Sequence, residues 1–363
     1  MNLSVGIVGL PNAGKSTLFN ALLKKQVAQF ANYPFTTIEP NVGVVEVFDE
    51  RLEKLADIIA ADPSTSLRTS RPPVIPAVVQ FVDIAGLVRG AHKGEGLGNQ
   101  FLSHIREVDV IVFVLRDFKN ENVDRAGSEG AKEDLALLRD ELLLKDLETL
   151  EKRIESFSRE LKKVPANDPK HKVFNALNRA KENVEKGNWL EEVLSGEEID
   201  LIKDLQLLSF KKSIVAVNSD EADLEKEPPI EGAMRISAKV ELELASLEGE
   251  ERKQYIKEFG YKNIGLDKLI SKSYKTLGLI TFFTAGPKEV RAWTIREGFK
   301  APEAAGVIHE DFKRGFIAAE IISVEKLIEV GGWVRAKEQG LIKSAGREEV
   351  MRDGDVVEFK FNV

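Results

Sequence analysis

The chain has 363 residues, too many for one core of usual size, so two or three domains are expected. Hydrophobic residues make up 43% and charged residues 31%, and the net charge of −8 describes a soluble globular protein with no overall basic bias toward nucleic acid, although a local basic patch can still meet RNA. There are no cysteines, which excludes disulfides, cysteine-ligated zinc and thiol catalysis, and no apolar run is long enough to span a membrane.

Met1-Asn2-Leu3-Ser4-Val5 leads directly into a strand, so a cytosolic chain without a signal peptide is expected. Residues 3–8 form that strand, and Gly9-Leu10-Pro11-Asn12-Ala13-Gly14-Lys15-Ser16 follows with the pattern G-x-x-x-x-G-K-[ST]. Residues 17–23 then read as a helix. Strand, glycine-rich turn and helix N-terminus in this order make a phosphate-binding loop rather than a bare turn. Its backbone N–H groups close around phosphates, Lys15 reaches the β- and γ-oxygens, and the Ser16 hydroxyl can coordinate Mg²⁺. Asn12, Ala13, Gly14, Lys15, Ser16 and Thr17 are its expected nucleotide contacts.

The segment Tyr33-Pro34-Phe35-Thr36-Thr37-Ile38-Glu39-Pro40 is extended and bounded by prolines, and Thr37 is the hydroxyl chosen to complete the Mg²⁺ shell. A strand over 41–48, a helix over 51–60 and a Pro- and Ser-rich loop over 62–76 follow. Continuous apolar runs at 77–82, 108–115 and 213–217 have the length and β-branched content of buried parallel strands. With helical patterns between them, they predict a doubly wound α/β sheet that binds its ligand at the strands' carboxyl ends. Asp83-Ile84-Ala85-Gly86 closes the first of these runs. This D-x-x-G element can hold Mg²⁺ through water on Asp83 and offer the Gly86 N–H to the γ-phosphate. Small GTPases follow that glycine with a water-orienting glutamine; here Leu87 stands there, and an apolar side chain cannot polarise water, so slow turnover is expected. The loop over 88–99, with four glycines, supplies His92 as a candidate base and Arg89 and Lys93 for phosphate or RNA charge. Simple exposure explains His92 as well.

Between the second and third runs, residues 129–205 form an insertion. Leu143, Leu147, Leu150, Ile154, Phe157 and Leu161 alternate at spacings of four and three, the seam of a coiled coil, until Pro165 and Pro169 break it. Phe174, Leu177 and Val184 mark a second helix, so a helical hairpin is predicted. A spacer and a docking arm explain it equally, and Lys162, Lys163, Lys170 and Lys172 near its tip suit either RNA phosphates or solvent.

After the third run stands Asn218-Ser219-Asp220-Glu221, where a guanine-specific enzyme carries Asn-Lys-x-Asp. Glu221 is one methylene longer than the aspartate that pairs with guanine, and Ser219 lacks the lysine stem that packs on the base, so guanine selectivity is expected to relax. Ser237-Ala238-Lys239, after a strand-like stretch at 233–236, is the fifth element, covering the base. From residue 281 short β-type segments, among them 315–323 and the alternating run 357–363, mark a separate α+β module. There Lys288, Arg291 and Arg296 surround Trp293, for which core packing is preferred over nucleic-acid stacking.

In this order the motifs resemble the YchF or Obg-like ATPase family of translation-factor-class P-loop proteins. Residues 6–20, 34–41, 81–99 and, most narrowly, Phe283-Thr284-Ala285-Gly286-Pro287-Lys288-Glu289-Val290-Arg291-Ala292-Trp293-Thr294 carry the resemblance. It implies a nucleotide domain over 1–128 and 206–278, an inserted α-helical coiled-coil hairpin over 129–205 and a β-grasp TGS domain over 279–363. It also implies ATP hydrolysis with GTP used less well, and ribosome association, with rRNA or tRNA as further partners; a monomer is expected. Asn12 occupies the place where some related proteins bind K⁺ as a second cation. The expected catalytic groups are Lys15, Gly86 and His92, and the metal ligands are Ser16, Thr37 and Asp83. The rivals are a guanine-specific ribosome-assembly GTPase and a nucleotide-gated scaffold with negligible turnover.

Overall fold

The computed structural model describes residues 3–25, 41–61, 71–84, 97–119, 129–162, 164–165, 167–247, 251, 254–255 and 265–362. They divide into two compact units, Met1–Val45 with Gln80–Leu269, and Glu46–Val79 with Ile270–Val363.

The first unit is built on a sheet of order β2-β4-β1-β5-β6-β7, with β1 (Ser4–Val8), β2 (Val42–Val47), β4 (Ala77–Asp83), β5 (Val110–Asp117), β6 (Lys212–Ser219) and β7 (Met234–Ile236). The run from β4 through β7 is parallel throughout. Central β1 and β5 are buried almost end to end, as the continuous apolar runs require when helices cover both faces of a sheet. The chain reverses strand order at β1, leaving β4 on one side and β5 on the other. That reversal opens a crevice at the carboxyl ends of the strands.

The insertion is a long helix α4 (Ala131–Leu161) against α5 (Lys170–Glu185). Their contacts run in opposite directions along the two helices: Lys170 meets Glu160, Phe174 stacks on Phe157, and Lys181 meets Glu151. The pair is therefore antiparallel. Of the six predicted seam residues, Leu143, Leu150 and Phe157 lie in its apolar core, which is continuous with that of the sheet, and Leu147, Ile154 and Leu161 pack half-buried against it. The second helix ends earlier than the insertion does. Residues 186–205 instead hold α6 (Leu190–Val193) and α7 (Gly196–Ile202), and Trp189 between α5 and α6 packs edge-on against Phe113 of β5. Asp146 of α4 is wholly buried and accepts bonds from the Leu208 and Ser209 amides at 2.8 Å each and the Ser209 hydroxyl at 2.6 Å. Burial pushes its carboxyl up to about 6 against those bonds, and the contact fastens α4 to the turn that feeds β6.

The second unit is a mixed sheet of order β11-β10-β12-β8-β9-β3. Its strands are β3 (Val74–Ile75), β8 (Leu279–Ala285), β9 (Val290–Arg296), β10 (Phe316–Ser323), β11 (Lys343–Ala345) and β12 (Asp355–Phe361). The first and last strands of the C-terminal segment, β8 and β12, are parallel neighbours at the centre, and antiparallel partners flank them. This is the β-grasp arrangement, with α10 (Ala301–Ile308) laying Ala301, Ala304 and Ala305 on Phe282, Ile295 and Phe359.

Two expectations change here. Residues 46–79, read with the nucleotide domain, join this second unit, because α2 (Glu50–Ala61) packs its stripe of Leu52, Leu55, Ala56 and Ile59 on β8 and β9. The loop read over 62–76 also contains β3, which adds to the edge of the second sheet by pairing in parallel with β9. Trp293 is half-buried, stacked on Phe282 with its Nε1 donating to Thr284 Oγ1 at 2.9 Å, while Arg291 covers its ring. It packs on the module's core, as preferred from sequence.

Candidate functional site

The phosphate loop runs from the end of β1 into α1 (Lys15–Lys24). Lys15, Ser16 and Thr17 therefore form the first helical turn, whose amides have no partner within the helix and point toward an anion. Two positions need left-handed backbone, Asn12 at φ 63° and Gly14 at φ 92°. At Gly14 the requirement is also steric, since a Cβ there would lie 2.1 Å from Asn218 Nδ2. At Gly9 a Cβ would stand 2.4 Å from the Val114 carbonyl oxygen, so the loop lies directly on β5.

Lys15 is buried, and its Nζ donates to the carbonyls of Gly9 and Leu10, both at 2.9 Å. Burial pulls its pKa below the usual lysine value and the Asp83 carboxylate opposes that shift. Asp83, at the end of β4, is the mirror case: burial raises its pKa and Lys15 lowers it. Its Oδ1 is buried and has no hydrogen-bond partner among the described residues. A carboxylate oxygen in that condition is costly unless a cation or water satisfies it. With the Ser16 hydroxyl exposed on the same loop, the donor set is all oxygen, which is what Mg²⁺ prefers. The residues present fit the ion.

Asn218 is the join of the site. It occupies the penultimate position of β6, inside the strand instead of just after it, because β6 runs two residues past the predicted run, and it is buried. Its Nδ2 donates to the Ala13 carbonyl and its Oδ1 accepts the Ala238 amide, each at 2.9 Å. One side chain thus holds the phosphate loop and caps α8 (Ala238–Leu244), whose start is the fifth element. Ser237 is buried at that cap and Lys239 is exposed. Ser219, the last residue of β6, is buried as well, and Glu221 is exposed at the head of a short 3₁₀ turn, Glu221–Asp223.

Asn12, Ala13, Gly14, Lys15, Ser16, Thr17, Asp83, Asn218, Ser219, Glu221, Ser237, Ala238 and Lys239 all fall at or just beyond the carboxyl ends of β1, β4, β6 and β7. Thr37, Gly86, Leu87, Arg89, His92 and Lys93 lie outside the described residues. Sequence reading missed Arg235, which bonds across the base-side strands. Its signal was a lone arginine within the short apolar strand before Ser237.

A parallel sheet with a phosphate loop after its first strand, an acidic residue ending the neighbouring strand, and base-side elements after the last two define a P-loop nucleoside triphosphatase of the GTPase type. A family model described as a 50S ribosome-binding GTPase matches residues 4–165, and one for a YchF GTPase C-terminal domain, described as a protein of unknown function, matches residues 279–362. The ribosome-binding ATPase YchF of Bacillus subtilis is 45% identical over the whole of both chains, and that of Escherichia coli O157:H7 is 43% identical over the same full extent. The solved structure of the Schizosaccharomyces pombe YchF GTPase superposes with a TM-score of 0.84 at 35% identity, covering 99% of this chain and 98% of that one. The chain belongs to the YchF family.

Proposed function

We propose that this chain is a Mg²⁺-dependent P-loop nucleoside triphosphatase that hydrolyses ATP, and GTP less well, as a slow switch binding the ribosome. The observation that carries the reading is the pair of hydrogen bonds made by Asn218, which ties the phosphate loop to the start of the base-covering helix. The relatives named as ribosome-binding ATPases support both the nucleotide and the ribosome.

In this reading the loop amides from Asn12 to Thr17 hold the phosphates and Lys15 balances the charge developing on the transferred group. Ser16, Asp83 and Thr37 would hold Mg²⁺, Asp83 through water. The ion, when bound, neutralises charge on the β- and γ-oxygens. Gly86 offers its amide to the γ-phosphate. Asn218, Ser219 and Glu221 face the base side, and Ser237, Ala238 and Lys239 cover it. With Leu87 where a glutamine would orient water, the water is oriented by backbone groups, by the following loop, where His92 is the candidate, or by a partner such as the ribosome. K⁺ beside Asn12 is a second-cation reading, and equal hydrolysis in Na⁺ and K⁺ buffers overturns it.

Ribosome binding is assigned to the helical hairpin and the β-grasp module, with rRNA or tRNA as the contacted species and a monomer as the working unit. Lys162, Lys170 and Lys172 near the hairpin tip, together with Lys163, which lies outside the described residues, are the contacts to test, by cosedimentation after replacement with glutamate. Among the described residues no helix is long and apolar enough to cross a membrane.

The deciding experiment is calorimetric titration of ATP and GTP against one preparation. A GTP preference above about tenfold, or about 1.4 kcal/mol, replaces the ATPase reading with that of a guanine-specific GTPase. The GTPase names of the two matching family models and of the solved relative are what speaks for that rival. Single-turnover hydrolysis with and without ribosomes separates the switch from a scaffold that only binds nucleotide.

A further inference from the structure

The base side of the site is braced by one residue that belongs to none of the five motifs. Arg235 lies on β7 and its side chain crosses the end of β6 to reach β5. Its Nη1 pairs with Asp117 Oδ2 at 2.6 Å and donates to Ser219 Oγ at 2.5 Å. Its Nε donates to the Lys226 carbonyl at 3.0 Å and its Nη2 to the Glu227 carbonyl at 3.1 Å. The guanidinium side chain is only 10% exposed. The planar fork of arginine suits this work, since it makes several fixed bonds at once where a lysine ammonium offers a single point charge.

These contacts bracket Glu221. Ser219 precedes it by two residues, and the Lys226 and Glu227 carbonyls close the loop that Glu221 begins. Asp220, between Ser219 and Glu221, is tied in turn to the Lys119 amide at 3.0 Å. The Ser219 hydroxyl is also spent inward: it accepts from Arg235 and donates to the Val217 carbonyl at 3.4 Å. Where the guanine-specific motif uses a long lysine stem at this position, the present chain has a short buried hydroxyl anchored by an arginine from the neighbouring strand.

We propose that Arg235 is a positioning residue for base selection, fixing the loop that carries Glu221 relative to the Asn218-bound phosphate loop and thereby setting the ratio of adenine to guanine nucleotide affinity. The proposal rests on the reading of 218–221 as the base side of the site. It predicts that discrimination depends on a residue that touches no nucleotide, because a carboxylate displaced by a fraction of an ångström loses or gains its bond to a base edge while the phosphates remain held.

The test uses the full chain and three probes: Mg-ATP, Mg-GTP and inorganic tripolyphosphate, which reads the phosphate loop without a base. Arg235→Met removes all four contacts and keeps the apolar stem. Asp117→Asn removes only the ion pair and serves if the methionine variant unfolds. Arg235→Lys restores charge without the fork. In Arg235→Met the ATP to GTP affinity ratio should shift by about tenfold, the equivalent of about 1.4 kcal/mol, while tripolyphosphate affinity holds within about twofold and the loss in ATP turnover falls on KM more than on kcat. Asp117→Asn should shift the ratio the same way by less, and Arg235→Lys should lie between wild type and Arg235→Met. An unchanged ratio in folded Arg235→Met, or in Asp117→Asn, overturns the proposal. Equal losses for all three probes also overturn it, since they mark a purely structural brace. If wild type itself binds tripolyphosphate but neither ATP nor GTP more tightly, the base-side reading fails instead.

Discussion

Replacing Asn218 with alanine removes two buried bonds at once, to the Ala13 carbonyl and from the Ala238 amide, both at 2.9 Å. The groups left behind are backbone and buried, and an unsatisfied buried polar group costs about 1–3 kcal/mol. Partial rehydration of the vacated space lowers the sum, so roughly 2–4 kcal/mol of stability should be lost from the first unit. For a unit of this size each kcal/mol moves the midpoint by about 2–4 °C, which predicts a fall on the order of 5–15 °C in thermal unfolding. Nucleotide affinity should fall with it, because the phosphate loop loses its tie to α8. Asn218→Asp is the sharper control. It keeps the acceptor for Ala238 but sets a carboxylate oxygen against the Ala13 carbonyl oxygen, so at neutral pH it should be worse than alanine. Protonation at low pH supplies a donor again and should narrow the gap. The assay is paired thermal unfolding and ATP titration across pH. A midpoint for Asn218→Ala within about 1 °C of wild type, or Asn218→Asp tolerated better than alanine at neutral pH, would refute the reasoning.

Gly14→Ala should abolish nucleotide binding and lower the unfolding midpoint, since the new Cβ would meet Asn218 Nδ2 at 2.1 Å on backbone at φ 92°; equilibrium dialysis with labelled ATP checks it. Asp83→Asn, which replaces the carboxylate whose Oδ1 has no partner among the described residues, should cut Mg²⁺-dependent hydrolysis by at least about a hundredfold while ADP binding in EDTA survives; full activity in this variant would remove Asp83 from the metal site. Glu241 on α8 accepts the Leu266 amide at 3.0 Å, and burial pushes its carboxyl from 4.5 up to about 7. A raised acid favours the folded state fully below the unfolded value and loses that contribution as pH climbs through the folded one. The stability difference between wild type and Glu241→Gln should therefore shift against wild type by roughly 3 kcal/mol between pH 4.5 and 7.5. Urea midpoints for both proteins over that range test it, and parallel pH profiles would discard the assignment.

Much of the site was legible because its chemistry is local. The phosphate loop needs glycines, a lysine and a hydroxyl within eight consecutive positions, and the structure puts Lys15, Ser16 and Thr17 in the first turn of α1 accordingly. Buried parallel strands announce themselves as unbroken apolar runs, and the spacing of Leu143 through Leu161 announced the face that α4 buries. The base side was only half legible. Asn218 and Ser219 were recognised by their place in the order of motifs, but their chemistry depends on Ala13, Ala238 and Arg235, none of which is adjacent in sequence.

The residues from 46 to 79 show the same limit at the level of the fold. The stripe of Leu52, Leu55, Ala56 and Ile59 establishes that α2 is a helix with one buried face, because a period of 3.6 is a property of the chain itself. Which sheet receives that face is not, since apolar surfaces attract one another without chemical address. The chain alone thus determined the elements, their buried faces and the strand–loop–helix order around Gly9 through Ser16. Tertiary structure alone decided that 46–79 completes the second unit, that Asn218 joins Ala13 of the loop to Ala238 of α8, and that Arg235 bonds Asp117 and Ser219 at the ends of β5 and β6. Those outcomes rest on partners tens to hundreds of positions apart, and only the packed fold brings their atoms within bonding distance.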